Sequence, residues 1–129
     1  MSDPDPHILV VEDNALLAEV LCDYLRDHRL IPVGPAGRVE TACSLARGSG
    51  LDAAIVDLKL AEHFSFPVCT ILAERGVPFL FLTGYDELSV IPTEFRSTPL
   101  LSKPFLMTQM HEAVLGLLQQ GLAGRIAAS

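Results

Sequence analysis

Short apolar runs alternate along this chain with segments of helical periodicity, and this alternation is what most restricts its fold. The runs within His7–Val11, Leu51–Val56 and Val77–Leu82 are continuously apolar instead of alternating with polar residues. Such runs are typical of strands that are covered on both faces. Buried strands that alternate with helices form a parallel sheet between two helical layers. The sequence therefore predicts an α/β fold, a doubly wound five-stranded parallel sheet with strand order 2-1-3-4-5.

The two other predicted strands are shorter. Leu30–Gly34 contains Pro32, which lacks the N–H that an internal strand donates, so this strand belongs at an edge of the sheet. Leu100–Ser102 is the last strand. The predicted helices run from the N-cap Asn14 through Leu25, from Arg38 to Arg47, from Phe66 to Arg75 and from Thr108 to Gln120, with a short or irregular helix within Tyr85–Phe95. We expect one domain over residues 7–121, between a disordered N-terminus (1–6) and a short tail (122–129).

Charge and composition exclude several classes of protein. A net charge of −7 argues against a nucleic-acid footprint, which needs clustered Lys and Arg. The longest apolar runs are much shorter than the ~20 residues of a membrane span, and no secretory signal pattern opens the chain. We therefore expect a cytoplasmic protein with no membrane or nucleic-acid partner. Cys22, Cys43 and Cys69 share no metal-site spacing and are expected to be reduced, buried thiols.

Polar groups follow four of the predicted strands directly. Glu12-Asp13 follows the first strand, Asp57 the third, Thr83-Gly84 the fourth and Lys103-Pro104 the fifth. The carboxyl ends of parallel strands meet at one edge of the sheet, so these groups should share a site between strands 1 and 3. Two carboxylates ~4 Å apart repel by roughly 4 kcal/mol at an effective dielectric of ~20. A hard cation with oxygen ligands, of which Mg²⁺ is the best fit, relieves that repulsion.

Three other interpretations of these residues compete with a metal and phosphoryl site. Glu12-Asp13 could simply cap the first helix, but that leaves the polar groups at the other strand ends unexplained. A flavin mononucleotide binder of the same fold needs a phosphate-binding loop after strand 1, where this acidic pair would repel phosphate. A phosphatase of the haloacid dehalogenase type expects a second Asp two residues after the nucleophile, and Lys59 stands there.

The chain resembles the receiver domains of two-component response regulators over essentially its whole length. The motifs that carry the resemblance are Val10-Val11-Glu12-Asp13-Asn14, Ile55-Val56-Asp57, Leu82-Thr83-Gly84 and Lys103-Pro104-Phe105. The resemblance implies a flavodoxin-like (βα)5 fold. It also implies that Asp57 accepts a phosphoryl group from a histidine kinase or a histidine phosphotransfer protein.

The resemblance assigns a role to each residue of the predicted site. Asp13, Asp57 and the backbone carbonyl of Lys59 would hold Mg²⁺, with Glu12 assisting through water. Thr83 and Lys103 would contact the phosphoryl group, and Lys103-Pro104 would be a cis peptide. The protein would not be a conventional enzyme but a phosphoacceptor with intrinsic phosphotransfer and autodephosphorylation chemistry. It would signal by contact with an unknown downstream protein, as a monomer or a phosphorylation-dependent dimer. The alternative is a degenerate receiver that binds its partners without phosphorylation.

One stretch departs from the usual receiver pattern. Leu100 stands three positions before the Lys, where most receivers have an aromatic residue. The segment Pro78–Tyr85 instead resembles the subgroup named for a PFxFATGY motif, although Leu82 replaces its Ala and Ala61-Glu62 its usual Gly-Gly. We expect Tyr85 to replace the missing aromatic residue as part of the output switch.

Overall fold

The computed structural model describes residues 4–84 and 88–128 of the 129-residue chain. The elements are, in order, β1 (His7–Val11), α1 (Ala15–Asp27), β2 (Ile31–Ala36), α2 (Val39–Gly48), β3 (Ala53–Asp57), β4 (Lys59–Leu60), β5 (His63–Phe64), α3 (Phe66–Glu74), β6 (Phe79–Thr83), two 3-10 turns (Leu88–Val90 and Thr93–Phe95), β7 (Leu100–Ser102) and α4 (Met107–Ala128). No helix within the described ranges has both the length and the apolar character that a membrane crossing requires.

Five parallel strands form the main sheet in the order β2-β1-β3-β6-β7. Counted along the chain, this order is 2-1-3-4-5, so the predicted fold class is confirmed. β3 lies at the centre, paired with β1 on one side and β6 on the other. β2 is an edge strand, which agrees with the prediction from Pro32. Asp57 therefore ends the central strand.

The central strands are buried on both faces, as their continuous apolar runs predicted. All five residues of β3 and all five of β6 are buried. On one face of the sheet, Val56 and Phe81 pack with residues of α2 and α3. On the other face, Ile55 and Leu82 pack with residues of α1 and α4. Full burial of such a side chain is worth about 1.5–3 kcal/mol, so these two cores hold the strand ends rigidly in place.

The loop after β1 is fixed by the cap of the first helix. The Asn14 side chain accepts a hydrogen bond from the Leu17 backbone N–H at 3.0 Å, so the predicted N-cap is confirmed. Below the cap, α1 buries one face of its helix against the sheet. Glu12 and Asp13 therefore lie between the end of a buried strand and a capped helix, and their backbone is well held.

The structure differs from the sequence prediction in one added hairpin and at the ends of several elements. The strands β4 and β5 form a small antiparallel hairpin that was not predicted, because strands of two residues have no periodicity to detect. α4 continues to Ala128 instead of ending at Gln120. Gly121 does not end this helix, and a Cβ built there would lie 3.7 Å from the Pro78 ring. β2 extends to Ala36, two residues beyond its predicted end.

Two further predictions concern the segment after β6 and the cysteines. Within Tyr85–Phe95, positions 85–87 lie outside the described residues, and the remainder contains two 3-10 turns, which agrees with the short or irregular helix predicted there. The predicted role of Tyr85 therefore concerns a residue that the structure does not describe. The three cysteines are free and buried, as predicted. Burial raises the pKa of the Cys69 thiol to about 12, so this side chain stays protonated at neutral pH.

Candidate acidic site at the carboxyl edge of the sheet

The residues predicted from the strand ends come together at the carboxyl edge of the sheet. Glu12, Asp57 and Thr83 are buried there, with exposed fractions of 2, 4 and 0%, whereas Asp13 is exposed. One carboxylate oxygen from each of Glu12, Asp13 and Asp57 lies within 4.8 Å of the others. Three acidic groups thus share a small volume, two of them largely removed from water.

Lys103 provides the counter-charge for the two buried carboxylates. Its Nζ lies 2.8 Å from Asp57 Oδ2 and 2.7 Å from Glu12 Oε1. Its backbone N–H donates to the Thr83 carbonyl at 2.8 Å, which ties the end of β7 to β6. The Lys103-Pro104 peptide is cis, as the resemblance implied. The two ion pairs show that the ammonium group points into the acidic site instead of into solvent.

Burial and the neighbouring charges shift the pKa values of Glu12 and Lys103. Burial raises the pKa of Glu12, and the neighbouring Asp57 carboxylate raises it further, although Lys103 and the Asn14 N–H oppose the shift. For Lys103, burial lowers the pKa, but hydrogen bonds and charge attraction from Asp57 and Glu12 outweigh it, so the pKa is raised. The raised pKa means that Glu12 gives up its proton less readily than an exposed glutamic acid does.

Replacing Glu12 with Gln should change how stability depends on pH. A carboxyl whose pKa is higher in the folded chain than in the unfolded chain stabilises the fold while it is protonated. This stabilisation is complete at pH values below the pKa of the unfolded chain, near 4.5, and is lost as the pH rises through the pKa of the folded chain. Glu12→Gln should remove this decline. Denaturant unfolding over a pH series above 4.5 measures it, with the surface residue Glu40 changed to Gln as control. Parallel stability curves for wild type and Glu12→Gln would contradict the assignment.

The acidic group is suited to a hard divalent cation. Asp13 Oδ2 accepts a hydrogen bond from the Ala61 backbone N–H at 2.8 Å, and Asp57 Oδ1 lies 3.4 Å from the Lys59 backbone N. Carboxylate oxygens of this kind, completed by waters, suit Mg²⁺. Lys59 is exposed and its Nζ lies 5.7 Å from the centre of the Phe64 ring. Its predicted contribution is the backbone carbonyl, and that contribution stays a prediction.

The Thr83 hydroxyl is buried without a hydrogen-bond partner among the described residues. Thr83 ends β6, beside Asp57 at the end of β3, because the two strands are paired neighbours. A buried hydroxyl that makes no hydrogen bond costs about 1–3 kcal/mol, so such a group is suited to a water or a ligand as its partner. This hydroxyl can donate to a group that binds at the acidic edge.

The hairpin residue Ala61 is a component of the site that the sequence did not reveal. It adopts a positive φ of 54°, in which its N–H contacts Asp13. The sequence offered one signal, since Ala61-Glu62 stands where the resembled subgroup tends to have Gly-Gly, and glycine favours a positive φ. Leu100, at the position that usually holds an aromatic residue, is 40% exposed on the edge strand β7.

Known proteins resemble this chain in sequence and in fold. No sequence profile of a known protein family matches the chain. The transcriptional regulatory protein PdtaR of Mycobacterium tuberculosis is 26% identical over 110 residues, which cover 83% of this chain and 54% of PdtaR. The chain thus spans about half the length of the curated relatives that it matches.

Solved structures show the same fold over nearly the whole chain. SdrG from Sphingomonas melonis is 37% identical, with a TM-score of 0.78 and coverage of 91% of this chain and 99% of SdrG. A response regulator receiver protein from Sinorhizobium medicae is 21% identical, with a TM-score of 0.77 and coverage of 90% and 96%. The first match combines high coverage with substantial identity, and the second supports the fold.

Proposed function

Since this chain belongs to the response regulator receiver domains, we propose that it accepts a phosphoryl group on Asp57 and signals the modification by protein contact. The observation that carries the proposal is the position of Lys103 Nζ, within 2.8 Å of both Asp57 and Glu12 at the end of the central strand. An ammonium group held there neutralises charge on a phosphoryl group that arrives at Asp57. A phosphorylation-independent binding module would have no need of this geometry.

The chain's own groups account for most of the transfer. One carboxylate oxygen of Asp57 attacks phosphorus, the bond from phosphorus to the donor's imidazole nitrogen breaks, and the imidazole leaves. Lys103 and the Thr83 hydroxyl can then contact the phosphoryl oxygens. Glu12, Asp13 and Asp57, with the Lys59 carbonyl, would hold Mg²⁺. When bound, that ion supplies positive charge that offsets the negative charge of the phosphoryl group.

The direct test is phosphoryl incorporation from a small acyl phosphate in the presence of Mg²⁺. We expect the intact mass to increase by one phosphoryl group, the modification to be labile to hydroxylamine, and fragmentation to locate it at Asp57. Absence of any incorporation would favour the alternative, a degenerate receiver. The relative SdrG has a solved structure described as the BeF3-activated conformation, which supports the choice of a phosphoryl-type ligand for this site.

The donor is proposed to be a histidine kinase or a histidine phosphotransfer protein, because exposed apolar residues flank the site. Leu16 in the first turn of α1 is 72% exposed, and Leu106, just before α4, is 66% exposed. Val20, one turn beyond Leu16 on the same face, is 42% exposed. Leu16 and Leu106 each stand three positions after a site residue, Asp13 and Lys103, and exposed apolar side chains beside a polar site suit a surface for another protein. An apolar helix face that carries a phosphohistidine fits this surface.

Polar substitutions on this rim should separate the protein donor from the small donor. Leu16→Ser and Leu106→Ser should each slow transfer from the protein donor about tenfold, the effect of losing a moderate contact of about 1.4 kcal/mol. Transfer from the acyl phosphate should be unchanged, because neither leucine belongs to the acidic site. Ile31→Ser, an exposed apolar position on the edge strand β2, is the control. Equal slowing with both donors would show that these substitutions disturb the folded structure and do not act on contact with the protein donor.

A further inference from the structure

The small hairpin after Asp57 is tied to the opposite side of the site by one hydrogen bond. The Ala61 N–H donates to Asp13 Oδ2 at 2.8 Å, although the two residues are 48 positions apart. Ala61 lies at the turn of the hairpin, between β4 and β5. This bond therefore joins the loop after β3 to the loop after β1.

The backbone around the turn is arranged to present this N–H. Ala61 has φ = 54°, a left-handed backbone conformation that residues other than glycine adopt only at a cost of about 1–3 kcal/mol. Below the turn, the base of the loop is closed by Ser65, whose buried hydroxyl and N–H both donate to the Leu58 carbonyl, at 3.1 and 2.9 Å. A strained turn on an anchored base indicates that the direction of the Ala61 N–H is held by the fold.

Asp13 needs such a partner because its side chain is exposed. Glu12 and Asp57 are buried and contact Lys103, but Asp13 has no ion pair among the described residues. A hydrogen bond to one oxygen of an exposed carboxylate limits its rotation and directs its remaining lone pairs. Partners of this kind orient ligands in metal sites, and their loss costs about 10–100-fold in metal affinity.

We infer that the Ala61 backbone amide is a positioning group for Asp13, so that its hydrogen bond from the Lys59–Phe64 hairpin sets the affinity of the site for a divalent cation. The inference rests on the proposed function, which assigns Asp13 to the cation. Coupling between two equilibria is reciprocal. The hydrogen bond between Ala61 and Asp13 favours the bound cation, and the bound cation favours that hydrogen bond by the same factor.

The first experiment measures Mg²⁺ affinity by titration calorimetry. Ala61→Pro removes the N–H and cannot adopt a positive φ, so we expect Mg²⁺ to bind about 10–100-fold more weakly. Ala61→Gly keeps the N–H and tolerates the turn, so its affinity should equal that of wild type or exceed it. Circular dichroism verifies that each variant is folded. Unchanged affinity in folded Ala61→Pro would overturn the inference.

The second experiment follows the Ala61 amide by NMR hydrogen exchange, so it does not depend on the proline variant. Saturating Mg²⁺ should increase protection of this amide by the same factor that Ala61→Pro costs in affinity. Without Mg²⁺, Asp13→Ala should remove the protection and Asp57→Ala should not, although both variants lose a predicted ligand. Lower protection with Mg²⁺, or equal protection in the two variants, would overturn the inference.

The two proposals fail in different ways. Absence of Mg²⁺ binding to the wild-type chain would overturn both the cation site and the role of Ala61. Mg²⁺ binding and phosphorylation of Asp57, with an Ala61 amide that does not respond to Mg²⁺, would overturn only the role of Ala61.

Discussion

Replacing Asp57 with Asn is expected to abolish phosphoryl incorporation from both an acyl phosphate and a protein donor. Asp57 ends the central strand, is 4% exposed and contacts Lys103 at 2.8 Å. An amide is nearly isosteric but is a very poor nucleophile, so the phosphoryl-accepting oxygen is lost while the shape of the site is kept. Intact mass spectrometry and a radiolabelled donor both measure the result.

The appropriate control for this variant is a second acidic residue at the same edge. Asp13→Asn leaves the nucleophile in place and weakens only the proposed cation site, so incorporation should slow but remain detectable at high Mg²⁺. Full labelling of Asp57→Asn would show that another side chain accepts the phosphoryl group. Complete loss in both variants would leave the two roles undistinguished by labelling, and the Mg²⁺ titration would then separate them.

Replacing Lys103 with Met is expected to slow phosphoryl incorporation by about 10²–10³-fold, the usual effect of losing one donor to developing negative charge. The variant keeps the length of the side chain but removes the cation that lies between Asp57 and Glu12. Breaking a buried pair by removing one partner costs about 3–5 kcal/mol, and partial exposure of Lys103 reduces that value here.

The electrostatic origin of the Lys103 effect can be tested separately from packing. In Lys103→Met, Glu12 loses a neighbour that lowers its pKa, so the variant should regain stability as the pH falls, and Mg²⁺ should stabilise it by mass action. Arg96→Met removes an exposed positive charge elsewhere and is the control. If Lys103→Met incorporates the phosphoryl group at the wild-type rate, Lys103 does not contribute to the transfer.

The fold was predictable because its determinants are local in the sequence. Continuous apolar runs identified the central strands, and Pro32 identified an edge strand. The end of each run also located the polar residue that follows it. The rule that parallel strands place their carboxyl ends at one edge then brought Glu12, Asp57 and Lys103 together, as the structure has them.

The parts that could not be predicted depend on contacts between distant segments. The β4–β5 hairpin has strands too short to show a pattern, and its turn is held by a bond between Ala61 and Asp13. Gly121, just past the predicted end of the last helix, lies inside α4, because a glycine lowers helix propensity without stopping a helix. Tyr85 lies outside the described residues, so its role in the output switch and the assignment to the PFxFATGY subgroup stay predictions.

The central sheet divides the interior into two hydrophobic cores, one on each face, which have no buried residue in common. Val56 and Phe81 belong to one core, whereas Ile55 and Leu82, their neighbours in the same strands, belong to the other. Substitutions that share no contact partners usually have additive effects on stability. Substitutions beneath α1 and α4 can therefore change the surface around Leu16 and Leu106. The stability that they cost should simply add to the cost of substitutions beneath α2 and α3. A fold divided in this way can acquire new partners on one side while the other keeps its packing.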